Sequence, residues 1–138
     1  MSSENQHQTL RQTWFVKAFA LMTGCAVALG AFGAHALKAI RTEQQLETWK
    51  TATLYLMVHG VAGLALSLYN CTHSLQNESV SRGCPRAALK LLMTGALVFS
   101  VSLYLLVLLK IPMLGAITPV GGVAMIAGWL IVVFRFKT

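Results

Sequence analysis

The sequence predicts an all-α integral membrane bundle of four transmembrane helices, with an interfacial helical segment between the first two. Three observations carry that prediction. Hydrophobic residues make up 56% of the 138 residues and charged residues 11%, against roughly 25% charged in an ordinary soluble domain. The mean hydropathy is +0.64, so the remaining residues cannot cover a water-facing surface. The apolar residues also fall into four blocks free of Asp, Glu, Lys and Arg: Ala18–Leu37, Thr51–Asn77, Leu91–Leu109 and Ile111–Phe134. Each holds a run of about 20 residues, enough to cross a ~30 Å hydrocarbon core as a helix at ~1.5 Å per residue.

Helices are expected at about Trp14–Ala36, Ala52–Tyr69, Ala88–Leu109 and Pro119–Phe134, forming one membrane domain over residues 1–138. The polar stretch Met1–Gln12 precedes the first. Its Arg11 and Lys17, the apolar run and Ala34-His35-Ala36 have the outline of a signal peptide. The apolar run is too long for a signal core of ~7–15 residues, so the helix is expected to stay in the protein. Thr42-Glu43-Gln44-Gln45 fits a capping box, with Gln45 reaching back to Thr42, and starts a polar-faced interfacial helix carrying Leu46 and Trp49. Asn70–Pro85 reads as a Ser/Asn-rich loop, with Pro85 in the first turn of the third helix. Asn70-Cys71-Thr72 and Asn77-Glu78-Ser79 are formal glycosylation sequons there, expected on the cytoplasmic side and given no role. Thr118-Pro119 reads as an N-cap followed by proline at the first helical position.

Charge sets the expected orientation. An even number of spans puts both termini on one side, with Arg11, Lys17, Arg82, Arg86, Lys90, Arg135 and Lys137. The opposite side has Lys38, Arg41, Lys50 and Lys110, partly neutralised by Glu43 and Glu47. Seven cations against four place both termini in the cytoplasm. The net charge of +7 therefore reads as orientation and attraction to anionic lipid. No basic cluster interleaved with aromatics is present to suggest nucleic acid. Cys25, Cys71 and Cys84 are odd in number and lack metal-ligand spacing, so they read as reduced and structural.

Chemistry within the spans rests on few residues. His35 shares a helix face with Ala31, Ala28 and Gly24, small residues of the kind that let a neighbouring helix come close. His59 shares a face with Thr51, Tyr55 and Gly63. Ser100 and Tyr104 lie four apart in the third span, while Ser102 points nearly the opposite way. A histidine in a span is costly in lipid and is expected to face the bundle, with Tyr55 a hydrogen-bond partner of His59. His35, Tyr55, His59, Ser100 and Tyr104 are thus the candidate residues of a polar pocket for a small ligand or cofactor, such as a quinone, a haem or a metal. Two histidines alone are a weak metal signature, and no carboxylate lies inside any span, so no metal site and no catalytic set are assigned. Gly121-Gly122 lacks the phosphate-loop pattern.

Five blocks resemble a known family: Gly30-Ala-Phe-Gly-Ala-His-Ala-Leu37, Trp49-x-Thr51-Ala52 with Tyr55-x-x-x-His59, Ser100-x-Ser102-Leu103-Tyr104, Gly115-Ala-Ile-Thr118-Pro119-x-Gly121-Gly122, and Gly128-Trp129. In order and spacing, from about Ala18 to Trp129, the chain resembles the small inner-membrane family of domain of unknown function 423, whose eukaryotic relatives are similar to transmembrane protein 256. The family's usual Ser-Gly-Ser-Leu-Tyr stands here as Ser100-Val101-Ser102-Leu103-Tyr104. The resemblance implies a four-helix bacterial inner-membrane protein and supplies no biochemical activity. The functional expectation is a non-enzymatic accessory or scaffold that packs against itself or a larger membrane complex. The alternative is a binding protein built on the His/Tyr/Ser pocket.

Overall fold

In lipid, a backbone must satisfy its own N–H and C=O groups, and a long apolar run without interior proline does so as a helix. The computed structural model of the protein describes residues 3–76 and 84–136, and every regular element among them is helical. Helix α1 spans Ser3–Phe32 and continues as a π-helical turn, Gly33–Leu37. Helix α2 spans Glu43–Gln76, α3 spans Arg86–Leu109, and α4 spans Thr118–Arg135 after a 3₁₀ turn at Pro112–Ala116. All four carry segments long and apolar enough to cross a membrane.

Several boundaries differ from the sequence expectation, each for a local reason. The capping box forms in both directions: Thr42 N–H donates to Gln45 Oε1 at 3.2 Å, and Gln45 N–H to Thr42 Oγ1 at 3.3 Å. The helix it starts runs without a break into the second span, so the interfacial segment is the first turns of α2 itself. Trp49 on those turns is buried. At the far end α2 passes Tyr69 and reaches Gln76. Asn70 is therefore a buried helical residue, and its amide clamps the chain entering α3. It accepts from Cys84 N–H at 2.7 Å and donates to the Cys84 carbonyl at 2.9 Å. A side chain so engaged has no place as a glycan acceptor. The second sequon, at Asn77, and the cation Arg82 lie outside the described residues. Thr118 does not cap α4: the backbone is already helical at Ile117, which leaves the Thr118 hydroxyl free to turn toward α3.

The helices pack in chain order, α1 on α2, α2 on α3 and α3 on α4. α1 buries Phe15, Phe19, Met22 and Ala26, a stripe at three- and four-residue steps, and the π turn continues it with Gly33 and Leu37. The expected inward face is thereby corrected. Gly24, Ala28 and Ala31 are exposed, and a side chain added at Gly24 would meet nothing within 4 Å. The small residues that permit close approach stand on α2 instead. Phe19 fills the space above Gly63, and a Cβ on Gly60 would come 2.5 Å from Thr23 Oγ1. Between α3 and α4 the backbones themselves meet, because a Cβ on Gly121 would lie 2.7 Å from the Gly95 carbonyl oxygen. Large side chains from one helix thus sit on glycines of the next.

Overpacking a filled contact costs about 1–3 kcal/mol. Gly63→Leu should therefore lower the melting temperature of the detergent-solubilised protein by several degrees, whereas Ala28→Leu should leave it unchanged. Equal melting of the two variants in a fluorescence-detected size-exclusion assay would reverse the assignment of α1's inward face.

Candidate functional site

The polar side chains buried in the bundle lie along α2, the helix faces it meets and, at Ser102, the contact of α3 with α4. At one end Trp49 Nε1–H donates to the Leu29 carbonyl at 2.8 Å, and its indole occupies the space over Gly33. Its ring lies 4.4 Å, centroid to centroid, from that of Tyr104. One turn along, the Thr53 hydroxyl donates to the Trp49 carbonyl at 2.9 Å. That leaves the Tyr104 hydroxyl as donor in their 3.0 Å contact. Ser100, fully buried, donates to the Ala52 carbonyl at 2.8 Å and joins α3 to the backbone of α2. Ser102 points the other way, as its spacing from Ser100 requires. It donates to the Phe99 carbonyl and meets the Thr118 hydroxyl at 2.8 Å, joining α3 to α4.

His59 is buried, and both of its ring nitrogens are engaged. Trp129 Nε1–H donates to Nε2 at 3.2 Å, which makes Nε2 an acceptor. Nδ1 therefore carries the proton and donates to the Tyr55 carbonyl at 2.9 Å. The assigned species is the neutral Nδ1–H tautomer. The partner within α2 is thus the Tyr55 carbonyl and not its hydroxyl. The Tyr55 ring is 40% exposed, stacks beside the imidazole at 6.0 Å and leans on Phe99 at 4.5 Å.

His35 lies elsewhere. The π turn sends Gly33 and Leu37 inward, and His35, two residues from either, is left exposed on the outer face. It is also displaced along the axis. Gly60, beside His59, packs against Thr23, twelve residues before His35, or ~18 Å at ~1.5 Å per residue. The two histidines therefore do not form one polar cluster. Of the five candidate residues, Ser100 and Tyr104 are buried along the α2–α3 contact and His59 is buried where α2 meets Trp129 of α4, while His35 and Tyr55 lie at the surface. Axial ligation by His59 would have to break one of its two hydrogen bonds. No group of three His, Cys, Asp or Glu side chains suited to a metal ion occurs among the described residues.

Thr53 was not singled out from the sequence, and Trp49 and Trp129 were singled out as an interfacial residue and as parts of family blocks, not as hydrogen-bond donors. A signal existed for the tryptophans, because a buried indole N–H needs an acceptor and spans offer few besides carbonyls and imidazole. What the sequence could not show was that residues 59 and 129 face each other across the bundle.

A family model described as a protein of unknown function, DUF423, matches residues 29–122. The chain belongs to the DUF423 family. The DUF423 segment takes in His35, the whole of α2 and α3, and the Gly121 contact. The chain is 41% identical to the UPF0382 membrane protein SSP2132 of Staphylococcus saprophyticus over 119 residues, covering 86% of this chain and 92% of the relative. It is 40% identical over 124 residues to SAB0533 of Staphylococcus aureus, covering 89% and 95%. With YwdK of Bacillus subtilis it shares 41% over 108 residues, covering 78% and 83%. All three are named as membrane proteins, in keeping with the four spans. No solved structure matches the DUF423 chain.

Nitrogen-15 spectra of histidine-labelled protein in detergent should show His59 as the neutral Nδ1–H tautomer. Trp129→Phe should remove the hydrogen-bond shift at Nε2. An Nε2–H tautomer in the wild type would mean that the Trp129 contact does not form.

Proposed function

We propose that this DUF423 protein is a non-enzymatic component of the cytoplasmic (inner) membrane, an accessory or scaffold that packs against a second copy or a larger membrane complex. One observation supports the reading above others: apart from Ser67, which donates to the Gly63 carbonyl of its own helix, the buried polar side chains of the bundle join one segment to another. Ser100, Ser102, Thr53, Tyr104, Trp49 and His59 each hydrogen-bond within the protein, most of them across a helix–helix contact. A site that turns over substrate needs a group whose donor or acceptor is left for the substrate. The outer helices have wide apolar faces, such as Val120, Val123, Ile126, Leu130 and Val133 on α4, which suit contact with lipid or with another membrane protein.

Native mass spectrometry of the full-length protein in detergent tests this reading. A defined oligomer or a stoichiometric protein partner, without an added small-molecule mass, is the expected result. A monomer retaining one haem, quinone or metal per chain would overturn it.

The reading also places both termini in the cytoplasm, by the seven-to-four excess of cations that the sequence assigns to their side, of which Arg82 and Lys137 lie outside the described residues. Cys84 is a poor probe of this, because burial pushes its thiol up to about 11 and starves it of thiolate at neutral pH. In a background lacking native cysteines, Lys38→Cys should react with an impermeant maleimide in intact cells, and Lys90→Cys only after permeabilisation. The reverse pattern would invert the orientation.

A further inference from the structure

Where the first span of α1 and helix α3 begin, a hollow of about 380 Å³ opens between them, lined by Trp14, Phe15, Arg86 and Lys90. Its volume lies within the ~300–1,000 Å³ usual for small-ligand sites. Arg86 and Lys90 are exposed and four residues apart, so one face of α3 presents two like charges that repel each other. Neither forms an ion pair among the described residues, and Glu43 and Glu47 stand at the opposite end of the bundle. Arg86 is also the first residue of α3, whose N-terminus has no side-chain cap. The positive end of a 24-residue helix therefore adds to the two side-chain charges. Across the hollow, Phe15 is buried, whereas Trp14 is 54% exposed at the start of the first span. Tryptophan favours that level of a membrane, between headgroups and acyl chains.

We propose that this hollow binds the phosphate headgroup of an anionic phospholipid. Arg86 and Lys90 take the phosphate, and Trp14 and Phe15 cover the glycerol and the first methylenes. Two cations on the α3 side of the hollow and an aromatic wall on the α1 side match a lipid better than a free anion, which would leave the tryptophan without a role. The site is independent of the scaffold reading, since it uses none of the side chains that join the helices.

The test uses the full-length protein in neutral detergent, with phosphatidylglycerol, phosphatidylcholine or inorganic phosphate added and adducts counted by native mass spectrometry. Phosphatidylglycerol should be retained and phosphatidylcholine lost, with inorganic phosphate unable to displace the lipid. Arg86→Gln with Lys90→Gln should weaken retention roughly thirtyfold, the product of two interfacial cations. Lys38→Gln, at the other end of the bundle, should leave it unchanged. Should the double variant fail to give a monodisperse protein, Arg86→Lys with Lys90→Arg keeps both charges and should retain the lipid like wild type. Equal loss in Lys38→Gln would mean a general attraction of charge and overturn the site. Displacement by inorganic phosphate would assign it to a free anion and overturn the lipid. A monodisperse double variant that keeps its lipid would overturn the roles of both cations.

Discussion

A polar side chain inside a bilayer has no water to turn to, so its partner must be built into the protein. Helix α2 is where this chain concentrates that demand. It is the only helix that exchanges polar contacts with all three others among the described residues: Trp49 reaches α1, Thr53 and the Ala52 carbonyl reach α3, and His59 reaches α4. The glycines follow from the same arrangement. For Trp49 to reach the Leu29 carbonyl, its indole must pass over a residue without a side chain, and Gly33 is that residue. Interhelical hydrogen bonds in membranes are individually modest, about 0.6 kcal/mol on average. Their worth here is in register: each bond has one correct partner, whereas apolar faces slide against each other at little cost.

The spans and both ends of the helix–turn–helix at Thr42 were legible in the sequence, because hydropathy and capping act on neighbours in the chain. The face of α1 was not. In a soluble helix the buried side is marked by contrast with a polar side, but the span of α1, Thr13–Leu37, is apolar nearly all round. Gly24, Ala28 and Ala31 looked like a packing stripe, yet the equally regular stripe through Phe15, Phe19 and Met22 is the one that meets α2. Residue size alone could not decide, since the fit of Phe19 depends on Gly63, forty-four residues later. The misplacement of His35 followed from that choice of face.

The second limit was the partner of a correctly chosen residue. His59 was legible as an inward-facing histidine, and Ser100 with Tyr104 as a polar face of α3. Which atom each would find was not. Tyr55 supplies its carbonyl where its hydroxyl was expected, and Thr118 gives its hydroxyl to Ser102 where a helix cap was expected. Asn70 shows the same limit in a loop-like sequence, where a string of polar residues concealed a buried amide bonded to Cys84. Local pattern identifies a donor well; the acceptor is chosen by tertiary structure.

The chain-order packing has a consequence for biogenesis. Because each helix rests on its predecessor, the contacts that build the bundle are short in sequence separation, and such contacts close early. α1 and α2 can pair as a hairpin before α3 is synthesised, and α3 can then dock onto α2 and α4 onto α3 as they enter the membrane. An exception is the bond from Trp129 to His59, which spans seventy residues. Until α4 arrives, the Nε2 lone pair of His59 has no donor from that helix. The last helix to be synthesised therefore satisfies a histidine left waiting in the second, and completion of the bundle is recorded at a single imidazole nitrogen.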